Sequence, residues 1–287
     1  MRFFTSLLLS LVLVLHTGCN INLVIGSAKF KRSETQSIPH QPAAGLRVES
    51  ANGYITVKQA DREDVLINSE IKALTQDRLD QSEVLVERQD NGELVVRAVY
   101  PEKRKNGEGC NFEIEIPEAT DVALTTSNGR ISLTGLVGKA KLNTSNGSVS
   151  VTDFQGPTVV KTSNGRISAN NVIGDLQLKT SNGSVSVGNA NQQASVETSN
   201  GSISLSQSAN ATGPIELSTS NGSVQVDLCS EFSGKLDVKT SNGSIRNSTS
   251  ANIVNKGKNK LLLDFEGNAS ESRIKTSNGS VTIRQSS

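Results

Sequence analysis

The chain has 287 residues and a formal net charge of only +1, so no electrostatic pull toward nucleic acid is encoded in its balance. Aromatic residues make up 3% and Trp is absent, while Ser, Asn, Thr, Gly and Val abound, which excludes a compact globule built around aromatic volume. A thin core of small β-branched side chains is the alternative, since these pack well on pleated surfaces.

In chain order, the N-terminus reads as an export signal. Arg2 supplies a short basic region, and Leu7 to Leu15 form an apolar run too short to span a bilayer as a mature helix. LHTGCN, Leu15 to Asn20, follows the pattern of a bacterial lipobox, with Thr17 and Gly18 before Cys19 as the lipidated residue and His16 where Leu is usual. An ordinary secretory signal cut near Gly26, Ser27 and Ala28 is the alternative. Both readings export the protein to the cell envelope, anchored through Cys19 or secreted. Residues 20–44, polar and Pro-containing, read as a flexible tether with a solvated His40.

Residues 45–120 read as a β-rich cap region. LRVESANGYITV, DVLINSEI, SEVLVERQ, GELVVRAVY and NFEIEIP look like strands, and ALTQDRLDQ a short helical turn. PEKRKNGEG, Pro101 to Gly109, is expected to be an exposed loop. Cys110 shares parity with Phe112, Ile114 and Ile116 and points inward. Cys229 also falls on an apolar position, and two buried thiols are favoured over a disulfide between them.

From residue 121 to 287 the chain repeats itself. TSNG begins at Thr126, Thr144, Thr162, Thr180, Thr198, Thr219, Thr240 and Thr276, giving Gly-to-Gly spacings of 18, 21 and finally 36. The longest gap implies a degenerate copy over Asn255 to Ala269, and Gly53 of ESANGYITV an earlier cousin. Counted from each Gly, position +2 is always Ile or Val, position +4 is apolar except at Asn247, and +7 and +13 are apolar in the 18-residue units. Two alternating runs per unit, separated by turns, cannot bury an apolar face alone. Stacked units can, each strand bonding to its equivalent about 4.8 Å away. The fold class is therefore all-β, a parallel β-solenoid with a β-rich N-terminal cap. A right-handed β-helix or β-roll is preferred, and a meander of Asn-Gly hairpins is the alternative.

Within TSNG, Thr is expected to pack its methyl inward and bond a neighbouring coil, and Ser to face out. Asn caps the corner or joins a ladder, and Gly supplies positive φ. The residues that follow form a flat hydroxyl-rich face with two guanidinium groups. Its candidate contacts are Arg130, Ser132, Ser148, Ser150, Arg166, Ser168, Ser184, Ser186, Ser202 and Ser204. The same rows are also what a repetitive strand simply tolerates outward. The opposite face, with Lys139, Lys141, Asp175, Lys179 and Glu197, is an ordinary charged surface.

The succession LRVESANGYITV, a β-rich insert, then EIPEATDVALTTSNGRISL leading into further coils resembles the DUF4097 family of β-strand-repeat proteins over roughly residues 45–285. The resemblance implies a bacterial surface solenoid, often labelled an adhesin, with no established catalytic site. Many members carry an acidic residue after the corner Gly, where this chain has Ser or Arg.

Enzyme signatures such as HExxH, a P-loop or CxxC do not occur, and Asp153, Asp175, Glu197 and Asp227 occupy different repeat positions. No catalytic residue, metal site or cofactor is expected. The leading function is an adhesin-like protein that binds an envelope polymer or protein, with the membrane reached through the lipid anchor and no nucleic acid involved. A structural or stress-associated envelope role is the alternative, followed by ice binding or polysaccharide processing.

Overall fold

The computed structural model describes residues 30–267 and 269–286. The signal segment and Cys19 lie outside the described residues. Among those described, 25 strands and one short helix form two sheets that face each other across a single apolar core.

The first strands are β1 (Phe30–Pro39), β2 (Leu46–Glu49), β3 (Ile55–Gln59) and β4 (Asp64–Ala73). Helix α1 (Gln76–Asp80) follows, capped by the Thr75 hydroxyl, and then β5 (Glu83–Arg88), β6 (Leu94–Val99) and β7 (Gly109–Ile116). The regular coils run β8 (Asp121–Thr126), β9 (Ile131–Thr134), β10 (Lys139–Thr144), β11 (Val149–Gln155), β12 (Thr158–Thr162) and β13 (Ile167–Ile173). They continue with β14 (Leu176–Asn182), β15 (Val185–Ala190), β16 (Ala194–Asn200), β17 (Ile203–Gln207), β18 (Ile215–Asn221) and β19 (Val224–Leu228). The C-terminal part holds β20 (Lys235–Asn242), β21 (Ile245–Ser248), β22 (Asn252–Lys256), β23 (Lys260–Asp264), β24 (Ser272–Asn278) and β25 (Val281–Gln285).

Each coil contributes one strand to the 13-stranded sheet, turns through TSNG, and contributes the next strand to the 12-stranded sheet. Equivalent strands pair in parallel and in register, as in Leu142 beside Val160 and Val149 beside Ile167, with one shift between Val187 and Ala190 where β15 meets β17. Alternation then sends every second side chain inward. Ile131, Val149, Ile167, Val185, Ile203 and Val224 are at most 1% exposed, so the +2 row is a continuous aliphatic ladder. Leu136, Phe154, Val172, Ala190 and Cys229, from the +7 row, fill the far corner. Burial of this kind stabilises by roughly 25 cal/mol per Å² of apolar surface.

At both ends the stacking order departs from the chain order. The chain enters at β2 and β3 and then builds β6 and β7 outside them. It returns to lay β8 and β9 on their other flank. At the C-terminus the last coil, β24 and β25, slots between β18 and β19 on one side and β20 and β21 on the other. The expected degenerate copy over Asn255 to Ala269 is not a coil. Strands β22 and β23 form an antiparallel hairpin that lies on β20. Antiparallel strands do the same at the other end, where β4 covers β7 and β5 covers β6. A solenoid exposes an apolar rung at each end, and antiparallel strands cover it without inviting another coil, although β21 remains the edge of the 12-stranded sheet.

Part of the expected tether is also structured. Residues 30–39 are β1, paired with β4 over ten consecutive positions. His40 is accordingly not solvated: its side chain is 12% exposed, beside Glu118. The tip of the 101–109 loop is exposed, but Glu108 at its end is fully buried. Both oxygens of Glu108 take hydrogen bonds from the Arg78 guanidinium at 2.5 and 2.8 Å, and the Lys105 N–H donates to one of them. This contact draws its carboxyl down from 4.5 to about 2. The two described cysteines, Cys110 and Cys229, are free and buried.

Candidate interaction face

The TSNG corner is built from three interlocking rows. Each Thr is buried and donates its hydroxyl to the corner Gly carbonyl of the adjoining rung, as Thr162 does to Gly147 at 3.2 Å and Thr180 to Gly165 at 3.1 Å. The Asn amides form one unbroken chain. Starting at Asn52 it passes through Asn128, Asn146, Asn164, Asn182, Asn200, Asn221 and Asn278 to Asn242, each Nδ2 donating to the previous Oδ1 at 2.6–2.8 Å. All the bonds point one way, so the amides polarise one another. Asn52 ends the row by donating to the Glu108 carbonyl.

The corner Gly serves a purpose other than positive φ. A Cβ on Gly165 would sit 1.8 Å from the Gly147 carbonyl oxygen, and its relatives show the same conflict. Positive φ belongs to the far corner, at Gly135, Asp153, Asn171 and Asn189. TSNG needs Gly because successive rungs bring their backbones into contact there.

Leaving this corner, the chain enters the outer face of the 12-stranded sheet. Register places Ser132, Ser150, Ser168, Ser186 and Ser204 side by side in one column. Thr56 extends it at one end, and Gln225, Thr282 and Arg246 at the other. Arg130, Ser148, Arg166, Ser184 and Ser202 stand one step nearer the corner, linked because each following strand N–H bonds the next rung's carbonyl at this position. All ten candidate residues thus share one face. Ser132, Ser150 and Ser168 are half-buried, and the other seven are exposed.

Two further contributors belong to this face. Tyr54 occupies the Arg130 position one rung earlier, and the Arg130 guanidinium lies 5.8 Å from its ring centroid. Its hydroxyl donates to Glu113 at 2.7 Å, and burial together with that carboxylate pushes it up to about 12. The signal was the Gly53 cousin, whose next residue is Tyr54. A third column, Lys58, Thr134, Thr152 and Asn170, runs beside the Ser column.

The opposite sheet is different in kind. Lys179 and Glu197 pair at 2.8 Å with both side chains 56% exposed, an arrangement that contributes little. Cys110 is fully buried, and that burial pushes its thiol far above the usual range. Among the described residues, no three potential metal ligands converge.

Residues 44–284 match Toastrack DUF4097. The chain belongs to the Toastrack DUF4097 family. The match begins at the first solenoid rung and reaches the last strand, so the Toastrack unit includes both the regular coils and the hairpins that close them. No curated protein matches the sequence. Among solved structures, a candidate adhesin from Bacteroides fragilis NCTC 9343 is similar, with TM-score 0.48 and 11% identity over 89% of this chain and 97% of that one. A candidate adhesin from Parabacteroides distasonis ATCC 8503 gives 0.44 and 11%, over 88% and 96%. A candidate lipid-binding protein of the same organism gives 0.42 and 14%, over 90% and 97%. Likenesses at these identities lend no weight to a function.

Proposed function

We propose that this Toastrack protein is a non-catalytic, adhesin-like component of the cell envelope that holds a surface polymer or protein against its 12-stranded sheet. The observation that carries this reading is the aligned Ser column flanked by Arg130 and Arg166. The hydroxyls repeat at the rung spacing of about 4.8 Å, which suits an extended partner laid along the solenoid axis. Each hydroxyl offers a donor and an acceptor, and the two guanidinium groups add charge-assisted donors. The column carries no acid between Thr56 and Asp227's neighbour Gln225, so no carboxylate competes for those donors. Export, and attachment through a lipidated Cys19, belong to the same reading and are supported by the sequence of the N-terminal segment.

The test is retention of envelope extract on the immobilised chain, compared with a Ser168→Lys/Ser186→Lys double variant. A control variant, Gln177→Lys/Ser195→Lys, alters the opposite sheet. Weakening of about tenfold or more in the first variant alone is expected. Equal retention by all three proteins would remove the face from consideration.

A further inference from the structure

The far corner of the coils, where the 12-stranded sheet turns back toward the 13-stranded sheet, carries a second feature. A groove of about 440 Å³ runs across successive rungs there, lined by Asp153, Gln155, Asn171, Ile173, Asn189 and Ser208. We infer that this groove is a binding site for an uncharged, polyhydroxylated chain, a neutral glycan. It lies apart from the Ser/Arg face and uses none of its residues, so either site can fail without the other.

In the first four regular coils, the chain leaving the TSNG corner passes through a residue in the left-handed region at the far corner. In the first regular coil that residue is Gly135, with φ of 80°. In the next three it is Asp153, Asn171 and Asn189, with φ of 52°, 53° and 57°. Gly adopts this conformation at the least cost, whereas Asn and Asp are the side chains that tolerate it. The chain therefore places three amide or carboxylate groups where the turn alone is served by Gly.

These groups are held in line. Asn171 Nδ2 donates to Asp153 Oδ1 at 2.9 Å, and Asn189 Nδ2 to Asn171 Oδ1 at 2.6 Å. An amide that spends one N–H and one lone pair on such a row keeps the other N–H and lone pair free. All three residues are exposed, so the spare groups repeat at the rung spacing of about 4.8 Å. Paired donors and acceptors at this interval suit the vicinal hydroxyls of successive sugar rings.

The groove also has a defined end and floor. The coil from Gly201 to Gly222 has 21 residues instead of 18, and its extra length falls after Gln207. Ser208 N–H bonds the Ala190 carbonyl and Thr212 N–H the Asn191 carbonyl, which fixes the loop as a wall closing the groove. The Ser208 hydroxyl is enclosed and has no hydrogen-bond partner in the protein. Ile173, 50% exposed among amides, offers an apolar patch for the C–H face of a ring. No cation lines the groove, and its single charge is the Asp153 carboxylate, which repels polyanions and accepts hydroxyl donors.

The experiment titrates the purified chain by calorimetry with three neutral hexasaccharides, cellohexaose, maltohexaose and chitohexaose, and with dextran sulfate. At least one neutral oligomer is expected to bind, with affinity little changed between about 0.05 and 0.5 M salt. Asn171→Ala and Ile173→Ala are each expected to weaken it about fivefold or more, while Ser168→Lys/Ser186→Lys leaves it unchanged. Ile173 is exposed, so its variant keeps the fold and separates recognition from stability. Binding of none of the hexasaccharides overturns the inference. So does binding of dextran sulfate alone, or full affinity in Ile173→Ala.

Discussion

Gly165 shows how one residue type can answer to a constraint other than the one usually assigned to it. Its hydrogen atom faces the Gly147 carbonyl oxygen, and any Cβ would be driven to within 1.8 Å of that oxygen. The obstacle is backbone, which cannot move without parting two rungs. Gly165→Ala is therefore expected to lose about 3 kcal/mol or more, comparable to a severe core defect. Gly257, in the β22–β23 turn, has nothing within 4 Å, and Gly257→Ala should be close to neutral. Chemical denaturation of the two variants beside the parent chain checks the contrast. The corner was legible in the sequence because eight copies expose its invariants, and Thr and Asn perform the roles their chemistry suggests. The reason for Gly was not legible, since positive φ and close approach exclude a side chain equally well. The far-corner row stayed hidden for another reason. Its members are Gly135, Asp153, Asn171 and Asn189, which share a conformation and not an identity.

At the scale of the element, the coil is the unit of both sequence and structure, and the order of stacking is what the sequence withholds. Thr240 donates to the Gly279 carbonyl, and Thr276 to that of Gly222. Every rung carries the same donors and acceptors, so a coil's local sequence does not name its neighbour. Only the hairpin of β22 and β23, which lacks TSNG and pairs antiparallel, shows that β20 is the outer coil and β24 an inner one. An asymmetry between deletions follows. Removing residues 166–183 excises one regular coil and leaves every ladder able to close in register. That protein should remain monomeric, with a melting temperature within several degrees of the parent's. Truncation after Ser270 removes fewer residues but opens a slot between β18 and β20 and between β19 and β21. Unpaired strand edges inside a sheet favour aggregation. Size-exclusion chromatography with thermal melts would show the shorter deletion to be the more damaging one.

Across the whole molecule both ends carry antiparallel strands, but the contacts around those strands differ. At the C-terminal end the hairpin carries Ile253 and Val254, both more than half exposed. At the N-terminal end the cap is pinned by the enclosed Arg78–Glu108 pair, whose loop also receives the end of the Asn row. Glu108 titrates near 2 in the folded chain against an ordinary 4.5, so its contribution is complete above about pH 4.5 and fades as pH falls toward 2. Acid should consequently loosen the N-terminal cap before the coils, with hydrogen exchange at about pH 3 rising first in β6 and β7. Glu108→Gln is expected to lower the melting temperature near neutral pH, because it leaves the partly buried Arg78 guanidinium without its anion. It should also flatten the loss of stability between pH 4.5 and 2, which melts across that range would reveal.

The one-way chain of corner amides has a consequence for chemical durability. An Asn followed by Gly is the pairing most prone to lose its side-chain amide, because the Gly nitrogen can close on the Asn carbonyl carbon to form a cyclic imide, and such Asn residues are thermolabile. This chain repeats that fragile pair in every regular corner. Folding ties up the participants: interior amides both donate and accept along the row, and nitrogens such as those of Gly183, Gly201 and Gly222 donate to Asn carbonyls of the next rung. Cyclisation would have to break these contacts together. The sequence is thus perishable as a free chain and preserved as a solenoid, and ageing falls on the two pairs outside the row, Asn91–Gly92 and Asn106–Gly107.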